Sequence, residues 1–249
     1  MKHIASLKIG LILLLCTGLS LSCGGKVTTR TEEPEYEFTI NGALVKDMDL
    51  GKDIACFTIL RDSDPVTGAV VIVGSDTLAD QGGGKYFKDA SKLFDFGEHV
   101  LILISSSVDT FALTTSGQVP GSFQITSINP SPVTGARAEE VFVYGSSSAG
   151  AQGYFMNVIR PDGSNGYAGL VSLIDMIQGK RLPRDTFGEG GAFLTGTYKV
   201  YAVAYHGSFV SYPGMPFYLP DDLPTGNISG ANGTIGAGVV ARLKYLSAE

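Results

Sequence analysis

Tryptophan is absent from this sequence, and histidine and cysteine occur three times each. Cys16 lies in an N-terminal apolar run expected to leave with a leader, so only Cys23 and Cys56 remain. Two thiols make no disulfide framework. Cys56 sits inside the apolar run IACFTIL (54–60) and reads as a small core residue, unpaired cysteine being among the most buried types. His99 and His206 stand in different halves with no cysteine beside them, which argues against zinc, whose sites need clustered ligands. Charge is scarce as well. Charged residues make up 17%, against an ordinary share of about a quarter. The net charge is −6, and without Lys2 and Lys8 the remainder carries 16 basic against 24 acidic side chains, or −8. With no basic run, an acidic surface repels phosphate backbones and weighs against nucleic-acid binding. Glycine is abundant instead, at 33 residues, alongside Ser, Thr, Val and Tyr. That mixture suits short strands joined by turns. With 249 residues, 44% of them hydrophobic, the chain has room for two domains with cores of their own.

No apolar run is long enough for a clean membrane span, which takes about 20 residues. Ile4 to Leu21 comes nearest and is interrupted by Lys8. Lys2, His3 and Lys8 precede the apolar stretch IGLILLL (9–15), and Ser20 and Ser22 place small side chains before Cys23. This is the layout of a secretory signal peptide, residues 1–22. The segment LSLSC (19–23) resembles the lipobox of bacterial lipoproteins, although Ser20 stands where that family usually has leucine. The resemblance implies a diacylglycerol on the Cys23 thiol, fatty acylation, and a lipid-anchored envelope protein. Ordinary signal-peptidase cleavage at the same place is the alternative. Gly24 rather than Asp follows the cysteine, which by the sorting rule of some Gram-negative lipoproteins implies the outer membrane. Residues 23–35 are polar after the cysteine and aperiodic, as expected of a flexible tether.

From Tyr36 the pattern has period two: Tyr36, Phe38 and Ile40 alternate with polar residues, and Asn41-Gly42 is expected to turn the chain. Apolar runs follow at 54–60, 69–73, 100–104 and 111–114, separated by RDSDPVTG, QGGGK and SSSVD. The GGGKYF segment (82–87) predicts a turn feeding a strand. Short strands at this spacing predict an antiparallel sandwich over 36–127. INPSPVTG (128–135) is the expected boundary, and 128–249 the second domain. In GTYKVYAVAYHG (196–207), Tyr198, Val200, Ala202 and Ala204 face one side while Tyr201, Val203 and Tyr205 face the other. A strand apolar on both faces belongs in the middle of its sheet. Leu170, Leu173, Ile174 and Ile177 have helical spacing between Gly169 and Gly179, and either a short helix or a strand fits there.

The second half resembles a fibronectin type III or related immunoglobulin-like domain. The lead-in INPSP, the run GYFMNVIRPDG (153–163) in the place of the third strand and GTYKVYAVAYHG in the place of the sixth carry the likeness, over roughly 123–249. The strand-two Trp of that family is missing, and the region after Gly207 is longer than its norm. The first half is similar to bacterial immunoglobulin-like sandwiches in pattern only. The expected fold is therefore all-β: two tandem immunoglobulin-like sandwiches after a signal peptide and tether. Such domains are mostly adhesive or spacer modules.

The residues of catalysis do not assemble into a recognisable site. Asp47, Asp49 and Asp53 fall in one turn-rich stretch and Asp62 and Asp64 in another, without the spacing of the twelve-residue calcium loop. Ser146–Ser148 fail the Gly-x-Ser-x-Gly pattern. GGGK lacks the remainder of a phosphate loop, and GANGTIGAG (230–238) precedes a strand where a dinucleotide motif needs a helix. Glu139-Glu140 and Asp221-Asp222 are adjacent pairs, which on a strand point to opposite faces. No cofactor and no metal are expected. The one suggestive surface is SFVSYPGMPFYLPDDLP (208–224), where Tyr212, Phe217 and Tyr218 stand among four prolines as candidates for contact with a glycan, peptide or protein. The alternative is that these rings pack on the domain itself. The reading is a non-catalytic lipoprotein of adhesion, ligand binding or envelope assembly; the alternatives are a spacer without a ligand, or a hydrolase of unrecognised type.

Overall fold

The computed structural model describes residues 37–188, 190, 192–225 and 228–249. The leader, Cys23 and the tether lie outside the described residues. The chain opens with β1 (Phe38–Asp47), β2 (Lys52–Arg61), β3 (Asp64–Pro65), β4 (Val70–Val73), β5 (Asp76–Thr77) and β6 (Ala79–Asp80). Next come β7 (Lys85–Ala90), β8 (His99–Ser106), β9 (Phe111–Gln118) and β10 (Ile125–Asn129). A 3-10 turn at Gly135–Glu140 leads to β11 (Phe142–Gly145), β12 (Gly153–Ile159), β13 (Asn165–Val171), helix α1 (Leu173–Gln178) and β14 (Lys180–Arg181). A second 3-10 turn at Arg184–Phe187 precedes β15 (Gly196–Gly207), β16 (Asn232–Val240) and β17 (Lys244–Ala248). The all-β expectation is met.

Ten of these strands form one sheet, in the order β13-β12-β15-β16-β1-β2-β7-β6, with β17 pairing β15 and β3 pairing β2 beside that path. A four-stranded sheet, β5-β4-β8-β9, and a three-stranded sheet, β10-β11-β14, complete the fold. Local chemistry accounts for much of this. Asp62 and Ser63 both have positive φ (47° and 76°), the mirror-image turn that matches strand twist, and they join β2 to β3 tightly. Gly82, Gly83 and Gly84 all have positive φ and feed β7, as GGGKYF predicts.

The boundary expected at 128–135 does not divide the chain. Residues 36–249 form one compact unit, and β1 lies between β16 and β2. It runs parallel to β16 from Thr39↔Asn232 to Asp47↔Val240 and antiparallel to β2 along its whole length. The cause is hydrogen-bond satisfaction. β16 meets β15 through five residue pairs, Val203–Gly207, and β1 supplies nine more on its other side. The proline-rich segment itself is stitched into place: Val133 donates to the Ser247 carbonyl (2.8 Å), and Glu249 donates to that of Val133 (2.9 Å). Asn41-Gly42 is likewise no turn. It lies inside β1, where Asn41 Oδ1 accepts the Thr234 N–H at 3.2 Å.

One continuous core joins the three sheets. Tyr198, Val200, Ala202 and Ala204 of β15 and Ile40 and Leu44 of β1 share it with Ile102 and Ile104 of the four-stranded sheet and Val143 of the three-stranded one. β15 sits between β12 and β16, and its opposite face is apolar too: Tyr201, Val203 and Tyr205 belong to a second buried cluster with Ala43, Val45 and Ile54. Both readings of 170–177 hold in part. Leu170 lies in the last residues of β13 and a helix follows, capped by Ser172 Oγ accepting the Asp175 N–H at 3.0 Å. That helix buries Met176 and leaves Leu173, Ile174 and Ile177 exposed.

Candidate functional site

The outer face of β15 is apolar and needs cover, and the segment after it supplies that cover. Beyond Gly207, residues 208–223 run back across the large sheet as a strap. Its rings form a packed group: Phe217 lies 5.3 Å from Tyr201 and 5.9 Å from Phe155, and Phe209 lies 5.4 Å from Phe155, centroid to centroid. Tyr212 meets Phe217 edge-on at 6.2 Å, a favoured aromatic geometry. The glycines of β16 make this approach possible. A Cβ at Gly236 would overlap the Ser208 carbonyl oxygen, and one at Gly238 would overlap the Phe209 ring. The glycine-rich run 230–238, expected to precede a strand, is mostly strand itself, kept thin where the strap crosses.

Two polar pins hold the strap. The Tyr212 hydroxyl donates to Asp47 Oδ2 at 3.0 Å, while Asp47 Oδ1 accepts the N–H groups of Asp49 (3.0 Å) and Leu50 (2.9 Å). Further along, the Tyr218 N–H donates to Asn157 Oδ1 at 3.2 Å. Asn157, fully buried, donates in turn to Asn165 Oδ1 (2.9 Å) and the Tyr167 carbonyl (2.6 Å). The Tyr212 phenol is pushed far up, by burial first and then by the Asp47 charge beside it. Burial also raises the Asp47 carboxyl above its ordinary 3.8, although its three hydrogen bonds pull the other way.

A pH dependence follows. Because the folded state holds the Asp47 proton more tightly than the unfolded chain, this group contributes stability that is complete below about pH 3.8. That contribution is lost as pH rises through the folded value. The stability of the native protein relative to Asp47→Asn is therefore expected to fall with rising pH in the window just above 3.8, as read from denaturant midpoints at successive pH values. A difference that stays constant or grows with pH would show that the hydrogen bonds outweigh burial at this carboxylate.

The candidate contact residues are divided by this arrangement. Tyr212 and Phe217 are each 5% exposed and serve as core, because with Phe209 they cover the apolar outer face of β15. Tyr218 is 47% exposed, with its hydroxyl 3.4 Å from the Gly163 carbonyl oxygen. The acids of 47–53 are separated as well. Asp53 takes both carboxylate oxygens to Lys46 Nζ at 2.8 Å and also accepts the Leu93 N–H at 2.8 Å, while Asp49 accepts from Leu243 at 3.3 Å. Among the described residues, no three His, Cys, Asp or Glu side chains stand close enough to share a metal ion. Two of the three serines at 146–148 are loop anchors: Ser146 Oγ accepts the Gln124 N–H at 3.1 Å, and Ser148 Oγ donates to the Gly121 carbonyl at 2.6 Å.

Beside the strap lies an open cleft of about 850 Å³. Its floor is the outer face of β2 and β7, with Cys56, Thr58, Lys85 and Phe87, and its wall is the strap at Val210 and Tyr212. Burial pushes the Cys56 thiol up to about 11 against a weaker pull from its hydrogen bond with Ala43, so it stays protonated and is a poor nucleophile. Asp47, Asn157, Lys85 and Phe87 carry this site without any motif to announce them. The available signal was indirect: a strand apolar on both faces demands a covering segment, and the only nearby aromatic-rich segment without strand periodicity is 208–224.

No family model matches this sequence, and no curated protein matches it. Among solved structures, the fibronectin(III)-like modules of Clostridium thermocellum CbhA align with 82% of this chain and 94% of their own, at 10% identity and a TM-score of 0.24. That likeness is too slight to assign this chain to those modules.

Proposed function

We propose that this protein is a non-catalytic binding lipoprotein of the cell envelope, anchored by lipid on Cys23, with the cleft beside the strap as its ligand site. The cleft carries the reading. Its volume of about 850 Å³ falls in the range of small-molecule sites, and two phenols, amides, hydroxyls, a thiol and an ammonium line it without a carboxylate or imidazole among them. Such a lining can hold and orient a ligand through its amides, hydroxyls and ammonium. The anchor rests on the leader and the LSLSC segment, and Gly24 favours the outer membrane. A spacer with no specific ligand is the second reading, favoured by the burial of Tyr212 and Phe217.

Two measurements test the proposal. Cys23→Ser is expected to release the protein from membranes and to abolish incorporation of labelled fatty acid. Native protein that is already soluble, with an unmodified cysteine, refutes the anchor. Thr58→Trp places an indole on the cleft floor and is expected to abolish ligand binding in array and titration screens. A native chain that binds nothing in such screens leaves the spacer.

A further inference from the structure

The strand register divides the cleft floor into two rows. Asn41 pairs Thr58 across β1 and β2, and Thr58 pairs Lys85 across β2 and β7, so amide, hydroxyl and ammonium stand side by side. Two residues along each strand, Ala43 pairs Cys56 and Cys56 pairs Phe87, which makes a parallel apolar row. Residues two apart share a face and lie about 7 Å apart along a strand. The floor is thus amphipathic at a fixed spacing, and Val210 and Tyr212 of the strap wall it in.

Its charge is equally specific. The other lysines of this part of the sheet are neutralised: Lys46 by Asp53 at 2.8 Å, Lys52 by Asp89 at 2.7 Å and Lys88 by Asp76 at 2.6 Å. Lys85 has no such partner among the described residues, and no acidic side chain lines the cleft. On a chain of net charge −6, this floor presents one uncompensated positive charge.

We propose that the cleft takes a small monocarboxylate with an apolar body, its head on Lys85 and Thr58 and its body on Phe87 and Cys56. This rests on the cleft being the ligand site. A single ammonium matches one negative charge, and a body extending from the head reaches the apolar row at the spacing the strands set. Lys85 is exposed, so water weakens the pair. The contribution of such a pair is about 1 kcal/mol at most, which corresponds to about fivefold in affinity.

The test titrates the full chain with octanoate and with octan-1-ol, which share a body and differ in the head. Octanoate is expected to bind about fivefold tighter, and Lys85→Gln to remove the preference while leaving the melting temperature and the affinity for octan-1-ol in place. Equal affinities in the native protein overturn the proposal, as does a preference that survives Lys85→Gln. If neither compound binds while the chain retains a glycan or peptide in a manner blocked by Thr58→Trp, the ligand class is wrong and the cleft stands. If the chain binds nothing, both fall.

Discussion

A fragment from Phe123 to Glu249 is expected not to fold on its own. Within it, β16 would keep β15 over five pairs and lose all nine pairs to β1. The shared core would lose Ile40 and Leu44 from the sheet and Ile102 and Ile104 from the layer opposite. Each large apolar side chain removed from such a core costs about 2–5 kcal/mol, and a domain holds only about 5–15 kcal/mol in total. Removing several exceeds that margin. Circular dichroism of the fragment should show no cooperative thermal transition, while the chain from Tyr36 to Glu249 should show one. A cooperative β-type transition in the fragment would restore the two-domain division.

Phe217→Ala carries the next largest effect. The ring is almost wholly buried among Phe155, Tyr201 and Tyr212, and the strap around it has little regular structure with which to close the gap. A loss of about 3–5 kcal/mol is expected, read as a lower urea midpoint at an unchanged slope. Tyr218→Ala, one residue on and half exposed, should change stability by less than about 0.5 kcal/mol. If Phe217→Ala proves equally mild, the strap does not lie closed on the sheet in solution, and its rings become available to partners.

The strands were legible in the sequence because alternation is a local property. β2, β4, β8, β9, β12 and β15 fall within or close to the apolar runs that predict them, and β15 shows the two apolar faces of a central strand. Pairing was not legible. Nothing local to Phe38–Asp47 says that its partner lies near the other end of the chain, and Asn41-Gly42 carries a turn signal that two flanking strands override. The strap shows the same limit. Tyr212 and Phe217 have the composition of an exposed contact loop and of a buried cover alike, and only the face they meet decides. Within GGGKYF, Lys85 and Phe87 show only a turn feeding a strand, because a cross-strand row exists only once β2 and β7 are in register.

The β1–β16 pairing joins Asn41 to Thr234, 193 residues apart. Contacts this distant in sequence slow folding, because the intervening chain must be ordered before they form. During synthesis β1 is the first described strand to emerge and β16 the last but one. Until β16 arrives, one side of β1 is an open, hydrogen-bonding edge of the kind that recruits other strands. A chain cut short anywhere before residue 232 keeps that edge open however well its other strands pair. Closure of the large sheet therefore acts as a test of whether β16 is present: only molecules that include it present no open side at β1, and those interrupted before it keep the aggregation-prone edge.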